Sequence, residues 1–181
     1  MTDRAWRRLA SRPLIERPWL TVHEQRLALP SGVEIAEFHL LEAPDWVAVI
    51  AVEGGHVVTV EQWRPGANSL SLELPAGVID EGESPLDAAR RELLEETGYE
   101  ADEWVPLSVV HTEPSRHTNR AHFYVARGAR RVADPSPEST EQIALRRMAV
   151  GELLRAVEDG QILHGVHVGA ILLAERRGLL G

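Results

Sequence analysis

The chain has 181 residues, 44% of them apolar, enough for one domain of ordinary size with a real core, so disorder is not expected. Its formal charge is −9, with 28 acidic against 19 basic residues, which argues against a nucleic-acid partner needing a basic face. It contains no cysteine, so disulfides, thiolate metal sites and cysteine nucleophiles are excluded.

The opening MTDRAWRRLASRP is basic but has no apolar leader core, and no stretch approaches the roughly 18 apolar residues of a membrane span. A cytoplasmic protein with no membrane partner is expected. Residues 2–10 read as a short helix that Pro13 ends, and the segment to Ala43 then reads as two strands about the turn Pro30-Ser31-Gly32. Trp46 to Val52 and His56 to Trp63, joined at Gly54-Gly55, form a more apolar hairpin suited to a sheet interior. Leu70 to Leu74 reads as a strand, and Ser84 to Thr97 as a helix with Ser84 as cap, Pro85 in the first turn and Gly98 as stop. Residues 104–111 and 121–127 read as strands flanking the loop Thr112 to Arg120. Residues 134–141 read as a flexible loop leading into a strand at Gln142–Leu145, and 150–158 and 166–177 as helices. The order suggests a mixed sheet flanked by helices.

At about 100° per residue, Leu86 and Leu93 define one side of the Ser84–Thr97 helix, whereas Glu92, Glu95 and Glu96 share an arc of about 100° facing away from it. Like charges at such spacing repel, and in the last turns the helix dipole disfavours them further. A hard divalent cation resolves the conflict, because Mg²⁺ takes oxygen ligands and is commonly shared between carboxylates and substrate phosphates. Arg91 can pair with a carboxylate of that face and orient it, and Glu83 can reach the same metal or pair with Arg91. The competing reading is an ordinary solvated acidic stripe.

The full spacing favours the metal. From Gly77 to Tyr99 the chain resembles the Nudix box, Gx5Ex7REUxEExGU, where U is a bulky aliphatic residue. Every Gly, Glu and Arg is present, Leu93 stands at the first U, and Tyr99 stands where an aliphatic residue is usual. The resemblance implies an α/β (α+β) fold, the Nudix α/β/α sandwich with a mixed sheet, plus a small N-terminal antiparallel hairpin. Residues 1–45 would form the hairpin extension and 46–181 the hydrolase domain. It implies Mg²⁺, with Mn²⁺ as alternative, held mainly by Glu92 and Glu96, with Glu95 and Glu83 contributing, and attack of water on a diphosphate.

Around the box, VEQWRPGANSLSLELPAG resembles ADP-ribose pyrophosphatases and related nucleotide-sugar hydrolases. By that resemblance Arg64 contacts substrate phosphates, Glu73 faces the substrate, and the carbonyl of Ala76 binds metal. Pro114 matches a proline of that subgroup, but the usual Ser-Pro-Gly-acidic run is replaced by Glu113-Pro114-Ser115-Arg116. Arg116 is therefore a candidate for binding a phosphate or a different sugar, and a solvated loop charge is the alternative. The general base is expected at Glu141 or Glu138 on the loop after the box. The N-terminal extension resembles the element through which this subgroup dimerises, implying a homodimer, with Trp19 or Trp46 as a base-stacking wall. A buried core role is the alternative for each tryptophan. The eight histidines have no zinc spacing.

The expected activity is metal-dependent hydrolysis of a nucleoside diphosphate sugar such as ADP-ribose to a nucleoside monophosphate and a sugar phosphate. The alternatives are hydrolysis of a dinucleoside polyphosphate or modified nucleotide, and a non-catalytic nucleotide-sugar sensor.

Overall fold

Strands β1 (Arg7–Arg17), β2 (Leu20–Ala28) and β3 (Glu34–Glu42) form a three-stranded antiparallel sheet in the order β1-β2-β3. The computed structural model describes residues 4–137 and 139–181. It separates into a first unit, up to Asp45 with His111–Arg120, and a second, Trp46–Val110 with Ala121–Gly181.

In the first unit the β2–β3 turn closes at Gly32, whose φ of 85° favours glycine. The helix expected over residues 2–10 is absent among the described residues: the chain from Arg7 is strand, so the hairpin is a three-stranded sheet. An isolated helix that short is marginal in water, whereas pairing with β2 satisfies the backbone along its length. Pro13 lies on the edge strand beside a register shift between Pro13 and Ile15, a position that tolerates a missing N–H. The loop 111–120 closes onto β3: Leu41 N–H donates to Arg116 O (2.8 Å), Thr118 N–H donates to Leu41 O (3.0 Å), and the Arg116 guanidinium lies 5.1 Å from the Phe38 ring centroid.

The second unit is built on a seven-stranded mixed sheet. β4 (Trp46–Glu53) and β5 (His56–Arg64) form the expected hairpin, followed by β6 (Ser69–Glu73), β7 (Ala76–Val78) and helix α1 (Pro85–Thr97). Then come β8 (Tyr99–Glu100), β9 (Glu103–His111), β10 (Arg120–Arg127), β11 (Arg130–Arg131), β12 (Ile143–Ala149), α2 (Val150–Glu158) and α3 (Gly165–Arg176). The order is β12-β5-β4-β10-β9, with β6 on β5 and β7 on β4, and β4 runs parallel to β10. β8 and β11 pair separately.

The apolar run of β4 is explained by burial on both faces. Ala48, Ile50 and Val52 join Leu153, Ile171 and Ala174 in the core under α2 and α3. Val47, Val49 and Ala51 join Ala88, Ala89 and Leu93 in the core under α1. The result is a sheet between two helical layers, the expected sandwich. No described helix is long and apolar enough to cross a membrane.

Candidate active site

Helix α1 begins and ends as expected. Ser84 accepts from Asp87 N–H (3.2 Å), Pro85 occupies the first turn, and Gly98 at φ 72° donates its N–H to Leu94 O. Its faces require a correction. Glu92 and Glu96 do not lie on an outward face with Glu95: they are buried with Ala88, Ala89 and Leu93, whereas Glu95 and Leu86 are only half-buried. The two alanines pack with Val47, Val49 and Ala51 of β4, and the carboxylates beside them are accommodated by polar partners.

The partner of Glu96 comes from the strand preceding the helix, and that of Glu92 from Arg91 on the helix itself. Ala76 N–H donates to Glu96 Oε2 at 2.9 Å. Glu92 lies against Gly77, where an added Cβ would stand 2.0 Å from Glu92 Oε1, so no larger residue fits without displacing the carboxylate. Burial dominates the electrostatics: it pushes Glu92 up to about 7 despite Arg91, and Glu96 up to about 8 despite the Ala76 N–H.

Arg91 gathers the remaining carboxylates. Its Nε and Nη2 grip Glu83 at 3.0 and 2.9 Å, Nη2 also donates to Val78 O at 2.9 Å, and Nη1 donates to Glu92 at 2.7 Å and Glu95 at 3.2 Å. Hydrogen bonds from Arg91 hold Glu83 below the usual carboxylate range. One guanidinium thus serves three glutamates, while Glu96 is bonded by a neutral N–H. Among the described residues no group of three acidic or histidine side chains stands as a ready-made metal cage. Arg91 instead draws these carboxylates toward itself.

Arg64 and Glu73 bind each other across the β5–β6 pair, with Arg64 Nε donating to Glu73 Oε1 at 2.8 Å and Nη2 donating to Oε2. Burial of Glu73 opposes its ionisation, but the hydrogen bonds and charge of Arg64 outweigh this and keep it below the ordinary range. The Glu73 side chain is 1% exposed and that of Arg64 41%, so the arginine is the member presented to solvent. The spacing of nine residues hid this pair, because the turn geometry that closes it is not periodic.

Glu141 is half-buried, and its charge acts on Glu92, Glu96 and Arg64, which brings it into the same electrostatic field. Glu138 lies outside the described residues. Arg116 belongs to the first unit, where its Nη1 donates to His39 O at 3.3 Å. Trp46 is half-buried at the start of β4. Its ring packs on Phe123, His164 and His167 at centroid distances of 5.9, 5.2 and 5.6 Å, at the edge of the core.

The histidines were not expected to group. His167 is buried, accepts Leu74 N–H at Nδ1 (3.3 Å), and stacks on His164 with centroids 4.5 Å apart and planes at 8°. Burial pushes His167 down to about 3, so it is neutral with its proton on Nε2. Their i,i+3 spacing was the available signal.

A mixed sheet between helices, with buried glutamates backed by an arginine fork, defines the class of phosphoanhydride hydrolases with the Nudix fold. A NUDIX domain model matches residues 42–177, and a nucleoside diphosphate sugar hydrolase N-terminal domain model matches residues 6–41. The chain belongs to the NUDIX domain family. It is 32% identical over 145 residues to the methanol dehydrogenase activator of Bacillus methanolicus, covering 79% of this chain and 78% of that protein. It is 27% identical over 175 residues to the ADP-ribose pyrophosphatase of Mycobacterium tuberculosis, covering 95% and 84%. The crystal structure of an ADP compounds hydrolase shares the fold, with a TM-score of 0.84, 22% identity and 96% of each chain covered. Nudix hydrolases generally require divalent cations.

Proposed function

We propose that the chain hydrolyses the diphosphate bond of a nucleoside diphosphate sugar, of which ADP-ribose is the type, to a nucleoside monophosphate and a sugar phosphate. The observation that carries this reading is the pair of buried carboxylates, Glu92 and Glu96, on a complete box helix whose one guanidinium leaves acidic charge uncompensated. The N-terminal match to nucleoside diphosphate sugar hydrolases, and the name of the Mycobacterium tuberculosis relative, support the substrate class.

The donor set fits a hard cation, since every candidate ligand is oxygen and the carboxylates need positive charge. Glu92 and Glu96, with Glu95, Glu83 and the Ala76 carbonyl, would hold Mg²⁺, or Mn²⁺ in its place. When bound, the cation neutralises phosphate oxygens and makes water a better nucleophile. Arg91 keeps the glutamates in register, and Arg64 offers its exposed guanidinium to phosphate. Glu141, or Glu138 on the same loop, accepts the proton of the attacking water.

The enzyme is proposed to be a cytoplasmic homodimer that takes neither nucleic acid nor membrane as partner. Trp6, Leu14 and Ile15 on or beside edge strand β1, and Trp19 in the adjoining turn, are exposed apolar groups of the kind that mark a subunit contact. The net charge of −9 disfavours a polyanionic partner. The test is chromatographic product analysis with ADP-ribose, GDP-mannose, UDP-glucose and diadenosine polyphosphates, with Mg²⁺ or EDTA. Release of a nucleoside monophosphate and a sugar phosphate supports the reading. Turnover of the polyphosphates alone assigns a different substrate, and binding without turnover assigns a sensor.

A further inference from the structure

Between β6 and β7 the chain changes partner: Glu73 is the last residue of β6 paired with β5, at Val60, and Ala76 the first of β7 paired with β4, at Ala48. Leu74 and Pro75 make the crossing. Pro75 has no N–H, so Leu74 carries the one backbone donor of the crossing, in a residue only 1% exposed and closed to water. Its acceptor comes from α3, as His167 Nδ1 at 3.3 Å. We infer that His167 is a positioning residue for the cation site: by accepting the Leu74 N–H it fixes the crossing, and with it the Ala76 peptide against Glu96. The inference rests on the metal-dependent reading above and deepens it, adding a residue that acts without being a ligand itself.

Three observations make this more than a core contact. The imidazole is a costly core group: His167 is 1% exposed, and among the described residues its Nε2 has no hydrogen-bond partner. The same core takes Ala170, Ile171 and Ala174 from α3, so apolar packing alone does not call for histidine here. What the histidine contributes is an acceptor.

The ring is also held still. His164 stacks on it with centroids 4.5 Å apart and planes at 8°, and Phe123 meets it edge-on at 6.0 Å, which makes Nδ1 a fixed point. The path from that point to the carboxylates is short and stiff. Pro75 fixes its own φ and restricts Leu74 to extended backbone, Pro75 O accepts Val49 N–H at 2.9 Å, and the next N–H, of Ala76, donates to Glu96 Oε2 at 2.9 Å. On the other side of Leu74 stands Glu73, held by Arg64. A shift of Leu74 therefore reaches both the Ala76 peptide and the Arg64–Glu73 pair.

The test compares wild type with three variants. His167→Leu fills the space without an acceptor, His167→Asn offers Oδ1 in place of Nδ1, and Ile171→Ala opens a cavity in the same core away from the crossing. Mn²⁺ binding is measured by electron paramagnetic resonance without substrate, beside thermal unfolding. His167→Leu is expected to weaken Mn²⁺ binding at least about tenfold, as for loss of a group that orients a metal site from outside it. His167→Asn should recover most of that loss, and Ile171→Ala should lower Tm but leave Mn²⁺ binding unchanged. Wild-type Mn²⁺ affinity in His167→Leu, no recovery in His167→Asn, or an equal loss in Ile171→Ala overturns the inference. Should His167→Leu fail to fold, nitrogen NMR of wild type decides: Mg²⁺ should shift the His167 Nδ1 and Leu74 amide signals together, and signals that stay in place overturn the inference. If wild type hydrolyses ADP-ribose while His167→Leu binds Mn²⁺ normally, the positioning role alone fails. Mn²⁺ binding that depends on His167 in a wild type without turnover would overturn the hydrolase reading and keep the positioning role.

Discussion

Gly77 and Glu92 meet so closely that a Cβ on the first would stand 2.0 Å from a carboxylate oxygen of the second. The glycine opening the box is thus a space requirement for a carboxylate fifteen positions on. Gly77→Ala should fold, because the nearest obstruction is the end of a side chain, but it should push Glu92 out of place. A misplacement of this size is expected to lower kcat/KM by about 10²-fold, with a circular dichroism spectrum like that of wild type. Near-normal activity in Gly77→Ala would mean that Glu92 need not occupy this position.

Arg91 should resist even conservative replacement. Lysine keeps the charge but has no planar fork to hold Glu83 at two points while also reaching Glu92 and Glu95. Arg91→Lys is expected to lose about 1–3 kcal/mol of stability, a range that allows for partial exposure of the guanidinium. Urea unfolding measures this, and adding Mg²⁺ should recover part of the loss by neutralising the same glutamates.

Proton linkage gives a third prediction. Glu92 and Glu96 are raised from an ordinary 4.5 to about 7 and about 8 in the folded protein, so between these values the folded state holds more protons than the unfolded one. Their contribution to stability is fully present below about pH 4.5 and is lost as pH rises through the folded values. In EDTA, the urea midpoint should fall between about pH 5 and about pH 9, and the double variant Glu92→Gln/Glu96→Gln should flatten that fall. Mg²⁺ should bind more tightly as pH rises and release protons on binding. A midpoint rising with pH in EDTA would contradict burial as the dominant influence.

Arg64 and Glu73 should be coupled in stability but separable in function. Arg64→Ala leaves a carboxylate that is 1% exposed without its partner, at an expected cost of about 2–4 kcal/mol. Adding Glu73→Gln should return much of the stability, since the buried charge is then gone, but not the activity, because the guanidinium proposed to meet phosphate is still missing. A double-mutant cycle of unfolding free energies, read beside KM, checks both parts.

Features written in local spacing were legible in the sequence. The Ser84 cap, the Gly98 stop, the β4–β5 hairpin and the order of the box all depend on near neighbours, and each is found in place. Features that depend on distant packing were not. Residues 7–10, within the segment expected to be helical, are the first part of strand β1, because pairing with β2 outweighs local propensity. Glu92 and Glu96 were placed outward because the alternation of small and acidic residues on α1 does not show that Ala76 and Gly77 approach from β7. The Leu74–His167–His164 arrangement joins positions 93 residues apart in its first contact, beyond any local pattern.

The most direct measurement is hydrolysis of ADP-ribose by wild type and Glu96→Gln across a Mg²⁺ titration, followed by chromatography of AMP and ribose phosphate. The expected result is Mg²⁺-dependent release of both products in equal amounts by wild type, reduced at least about 10²-fold in a variant that keeps its fold. Undiminished turnover in Glu96→Gln, or equal turnover in EDTA, would contradict the assignment of the box carboxylates to the reaction.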